Sequence, residues 1–161
     1  VVHNLTLVHA LLALAAAATV YLVVQELRQA SVSQWWLFAP GSAALVAATG
    51  LVLIQLGAGL GRWPFAVAAA AGLAIGGVRG LMVGIQHDAY QPHIVISRTA
   101  RITLLCVGLG VAACVAAEIV GAFVSPALDK LRFWAAWSAT VGAVAMLARA
   151  LVLMIRLHRH A

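Results

Sequence analysis

Charge is what this chain has least of. Only 9% of its 161 residues are Asp, Glu, Lys or Arg, ten basic and four acidic. Fourteen charged side chains cannot coat a sphere of 16.7 kDa, so a water-soluble globule is excluded. Acids are too few to cluster: Asp88 and Asp129 fall on opposite sides of the expected topology, and no Ser/His/Asp set stands beside either. Membrane phosphoryl- or lipid-transfer chemistry therefore has no motif here. Of the two cysteines, Cys106 and Cys114 are eight positions apart on one expected helix, roughly 12 Å along its axis. They cannot bond to each other, and the absence of CxxC argues against thiol redox chemistry. No internal repeat is evident, and an odd number of spans argues against a simple inverted-repeat transporter.

What remains is oil. Hydrophobic residues make up 65% of the chain and the mean hydropathy is +1.06. Crossing a hydrocarbon layer of about 30 Å takes roughly 20 apolar residues in a helix, and five runs qualify, near 5–24, 41–58, 64–85, 102–123 and 133–155. Leu and Ala dominate them without period-2 alternation, which makes a β-barrel a poor alternative. The fold class is all-α, a polytopic membrane bundle of about five helices in a single domain. The first run lacks a basic n-region and passes into "YLVVQELRQ" without a small-residue cleavage site, so it reads as a retained span. Pro40-Gly41 marks a turn or kink at the entry to the second span.

Five crossings put the 24–34 loop, the 86–101 loop and the C-terminus on one side, with Arg28, Arg98, Arg101, Arg156 and Arg159. The other side holds Arg62, Lys130 and Arg132. The positive-inside rule then places the N-terminus outside and the C-terminus in the cytoplasm. Tyr21, Trp35 and Trp36 mark the inner interface; Trp63, Trp134 and Trp137 mark the outer one. The net charge of +6 and the pI near 10.8 come from basic residues at helix ends, without a polar domain, so they point to anionic lipid headgroups and not to nucleic acid. The one sizeable polar connection, "QHDAYQPHIVISRTAR" at 86–101, carries a β-branched "HIVISR" piece expected to form a small hairpin or to lie along the headgroups.

The most ordered pattern is "GLAIGGVRGLMVG", with Gly72, Gly76, Gly80 and Gly84 four apart. Lipid tails are as apolar as leucine, so helices in a bilayer associate by close backbone approach, which glycine permits. The ladder predicts a groove on the third helix with a neighbour lying in it. The fourth helix, with Gly108, Ala112 and Ala116, is the nearest candidate, followed by the fifth with Ala135, Ala139 and Ala143. Arg79 stands at the groove's edge and Arg149 at a similar depth on the fifth helix. Each either snorkels or pairs with carbonyls, or the two together hold an anionic headgroup or substrate. Glu118 is the only acid inside the five runs, and its depth, about 8 Å from the outer face, matches that of His9; the two are expected to pair. No cofactor is required. His87, Asp88, His93, His158 and His160 share the inner side and are the only residues that suggest a zinc or copper site, at spacings that match no strong ligand motif. Bis-histidine haem lacks a second intramembrane histidine, and a His9–Met146 pair would bridge different depths.

Residues 76–108, "GGVRGLMVGIQHDAYQPHIVISRTARITLLCVG", resemble the central segment of the CcdC-like family of small bacterial membrane proteins, with Gly76, Arg79, Gly80 and Arg98 as anchors. The resemblance implies a bacterial inner-membrane protein and no catalytic role. Three functions stay open on these grounds. One is an accessory or scaffold subunit docking by small-residue faces into a larger complex or a homo-oligomer. A second is a small oligomeric transporter or channel for an anion, proton or lipid. The third is a haem- or metal-binding redox protein.

Overall fold

The computed structural model describes residues 7–28, 34–83, 85–87, 94–124 and 128–158. Five helices follow one another: α1 (Leu7–Arg28), α2 (Ala39–Gly57), α3 (Trp63–Met82), α4 (Arg98–Val124) and α5 (Asp129–His158). A 3-10 turn, Gln34–Leu37, leads into α2. Each helix is long and apolar enough to cross a membrane. Pro40 and Pro64 fall at the first turns of α2 and α3, where the missing amide hydrogen breaks no ladder bond. Pro40 thus starts its helix and does not kink it. Between α2 and α3 the backbone turns on Gly59, whose φ of 90° suits glycine alone.

The "HIVISR" segment does enter a hairpin. β1 (Ile85–His87) and β2 (Ile94–Ile96) pair antiparallel, Gln86 opposite Val95, and carry the chain from α3 to α4. Everything else in the described residues that crosses the bundle is helix.

Helix α5 is the centre. It packs against α2, α3 and α4, while α1 closes the far side against α2 and α4. Small side chains bring the axes together: Ala44, Ala47 and Ala48 of α2 and Ala136, Ala139 and Ala143 of α5 are fully buried around Leu51, Val111 and Val115. Large apolar side chains face outward instead, among them Leu14, Trp35, Leu53, Trp63 and Met82. Water would penalise that arrangement and lipid does not.

The glycine ladder meets α5, not α4. A Cβ at Gly72 would lie 2.7 Å from the Val141 carbonyl oxygen, one at Gly80 2.7 Å from Val152 Cβ, and one at Gly76 would overlap the Ala145 backbone. The face α5 presents is Val141, Val144, Ala145 and Val152, whereas Ala135, Ala139 and Ala143 are buried on other faces of the same helix. On α4, Gly108 receives Val23 of α1 and Met146 of α5, Ala112 is half-buried and Ala116 is exposed, so the α4 stripe does not serve α3. The physical reason is shape. A groove of glycines is filled by β-branched and alanine side chains, and a second row of small residues would leave a void. Gly84 lies outside the described residues.

Arg156 of α5 closes the end of α3. Its Nη1 donates to the carbonyl oxygens of Gly80, Leu81 and Val83 at 2.9, 3.0 and 2.8 Å. Carbonyls in the last turn of a helix have no intrahelical partner, and a cation there also complements the dipole. Arg156→Met is expected to lower unfolding free energy by about 1.5 kcal/mol, the worth of hydrogen bonds to a charged donor, read as a fall in Tm in detergent.

Candidate functional site

Two charged clusters lie inside the bundle, one toward each end. The first is built on Glu118, whose side chain is fully buried on α4. Arg132 of α5 donates to its Oε1 from Nε at 3.0 Å and from Nη2 at 2.5 Å, and Gln55 of α2 donates to Oε2 at 3.2 Å. Arg132 also reaches Asp129 at 3.4 Å near the surface. Gly121 makes the crossing possible: a Cβ there would stand 2.8 Å from Cγ and Cδ of Arg132, so the arginine stem lies over bare backbone. The carboxylate expected to pair with His9 is held by Arg132 and Gln55; His9 is buried in the first turns of α1.

The second cluster holds the anticipated Arg79 and Arg149 together with an acid that was not anticipated. Because α1 runs on to Arg28, Glu26 lies within the helix and is buried, 4% exposed. Its Oε1 is 3.7 Å from Nη2 of Arg149, itself 8% exposed. Arg101 of α4 is within electrostatic reach of the same carboxylate. Among the described residues neither oxygen of Glu26 accepts a hydrogen bond, and Nε and Nη2 of Arg149 donate none.

Arg149 lines a cleft of about 470 Å³ between α3, α4 and α5. The cleft exists because α3 and α4 both lean on α5 and make little contact with each other. Its walls are apolar, with Ile75, Met82, Leu104, Val107 and Met146, and its polar lining is Arg79, Arg149, Ser97, Thr99 and Thr103. Ser97 Oγ accepts from the Ala100 amide at 3.4 Å as α4 begins, so the positive end of that helix dipole also borders the cleft. Ile75 and Met82 at the rim are exposed, as is Arg79. The recess therefore opens sideways, onto the surface that faces lipid.

A smaller hollow of about 390 Å³ lies at the other end, bordered by Gln55, Asp129, Lys130, Arg132 and Trp134. There the charges balance. Asp129 and Glu118 offset Lys130 and Arg132, which gives that hollow no preference for an anion or a cation.

Of the five metal candidates, His87 and His158 lie among the described residues. His87 is on β1 and the exposed His158 ends α5, while Asp88, His93 and His160 lie outside the described residues. Among the described residues no group of three His, Cys, Asp or Glu is placed to hold a metal ion. Met146 sits beside Gly108 on the cleft floor and His9 in the first turns of α1, so the two stand at separate depths.

No family model, curated protein or solved structure matches the chain.

Proposed function

We propose that the protein binds the phosphate headgroup of an anionic membrane amphiphile in the cleft between α3 and α4. One observation carries the reading: a guanidinium, Arg149, is nine-tenths buried and lines the cleft with Arg79 beside it, and its described polar partner is Glu26, 3.7 Å from Nη2. Buried guanidinium donors are costly when unmet and bind phosphate oxygens in a fork geometry. Around them the apolar walls suit acyl chains, and the sideways opening admits a lipid without removing it from the bilayer. The charged residues described as lining the cleft are Arg79 and Arg149, so charge complementarity favours an anion.

The glycine ladder is filled by α5 of the same chain and is not open to a partner subunit. In this reading the positive-inside rule favours the cytoplasmic leaflet for the cleft end, where the arginines gather.

The test is thermal unfolding of the purified protein in zwitterionic detergent with added short-chain phosphatidylglycerol, phosphatidylcholine or inorganic phosphate. Phosphatidylglycerol is expected to raise Tm saturably, the other two to leave it unchanged, and Arg149→Met to abolish the response. Glu26→Gln combined with Arg149→Met keeps the interior neutral and guards against a variant that merely fails to fold. Equal responses to both lipids, or a response that survives in the double variant, would overturn the reading. A full response to inorganic phosphate would make the ligand a soluble anion, and the lipid assignment would fall.

A further inference from the structure

The two buried acids of this bundle are held in opposite ways. Glu118 takes three hydrogen bonds from Arg132 and Gln55. Glu26 takes none among the described residues, and stands 3.7 Å from Arg149 in a gap too long for a hydrogen bond. A well-matched pair would close that gap, because a buried ion pair repays its desolvation only with good geometry. Arg149 is thus held between Glu26 on one side and the cleft on the other, and it cannot serve both at full strength.

Resting on the headgroup reading, we infer that phosphate binding at Arg149 is coupled to uptake of one proton by Glu26. Two anions sharing one guanidinium in a medium of low dielectric repel each other, and the group able to take a proton does so. A phosphodiester stays ionised at any ordinary pH, which leaves Glu26. The proton comes from solvent and stays on a Glu26 oxygen; no covalent bond forms or breaks elsewhere. The charged groups facing Glu26 are Arg149 from α5 and Arg101 from α4. Arg79 of α3 acts through Arg149, α2 contains no charged residue, and Arg28 on Glu26's own helix is exposed.

The sign follows from linkage. A complex that holds one more proton than the free protein gains affinity as pH falls, up to tenfold per pH unit while Glu26 is ionised in the free protein. The experiment measures phosphatidylglycerol affinity of the full chain in detergent between about pH 8 and pH 6, with proton uptake followed by an indicator dye in weak buffer. Wild type is expected to gain affinity with falling pH and to take up one proton per lipid bound. Glu26→Gln is expected to bind at least as tightly at the alkaline end, to lose that part of the pH slope and to take up no proton, while Glu26→Asp restores both. The same slope in Glu26→Gln as in wild type would assign it to histidines and overturn the coupling, as would weaker binding by Glu26→Gln with an unchanged Tm. Lipid binding with no pH slope at all would overturn the coupling and leave the headgroup site standing; no lipid binding at any pH would remove the site itself.

Discussion

Arg132→Met is expected to lower the unfolding free energy by about 3–5 kcal/mol, the cost of leaving a buried charge without its partner. Glu118 is wholly enclosed, and with Arg132 gone only the Gln55 amide would remain on its carboxylate. The double variant Glu118→Gln with Arg132→Met removes both charges and is expected to recover most of that loss, since a neutral amide beside Gln55 finds a partner. Asp129→Asn is expected to cost less than about 1 kcal/mol, because its contact with Arg132 is exposed and long at 3.4 Å. Thermal unfolding in detergent separates the three. A single Arg132→Met variant as stable as wild type would mean that Glu118 is not held in the way described.

That cluster also shows where sequence reasoning stops. Five spans were legible because a water-soluble fold rarely strings together about 20 consecutive apolar residues, whereas a bilayer-crossing helix requires them. A strand at 94–96 was one of two readings of the β-branched piece after a turn signal, whereas its partner strand Ile85–His87 was not foreseen. The ends of the spans were not legible to the residue. The apolar runs near 5–24 and 133–155 leave Glu26 and Arg132 just outside, yet both helices continue through them, and each charge meets an opposite one inside. A charge near the end of an apolar run is consistent with a boundary or with a buried pair, and one dimension does not separate the two.

Partner choice was the other illegible step, and the two poles of the bundle depend on it. With α3 laid against α5, Arg79 and Arg149 border one recess; with α3 laid against α4, that recess would be closed. The ladder's period announced a groove, but its occupant was selected by complementary shape on α5, where Val141, Val144 and Val152 flank Ala145. Nothing in the spacing of small residues on α4 or α5 predicted that larger side chains would fill it.

Two neighbouring glycines make this testable. Gly76→Leu is expected to destabilise by about 3 kcal/mol, at the upper end of overpacking penalties, because the new side chain meets the backbone of Ala145, which cannot rotate away. Gly77→Leu places the same side chain one position along the same helix, where nothing lies within 4 Å. That variant is expected to be neutral or to gain up to about 1 kcal/mol, the difference in helix propensity between leucine and glycine. The contrast cancels effects common to any Gly→Leu change in α3, such as altered insertion or detergent binding. It also reports on the cleft: displacing α3 from α5 moves Arg79 away from Arg149, so Gly76→Leu is expected to lose the phosphatidylglycerol response in material that is still folded at low temperature, and Gly77→Leu to keep it. Equal Tm values for the two variants would show that α3 does not lie in the described contact with α5, and the recess that depends on that contact would have to be abandoned with it.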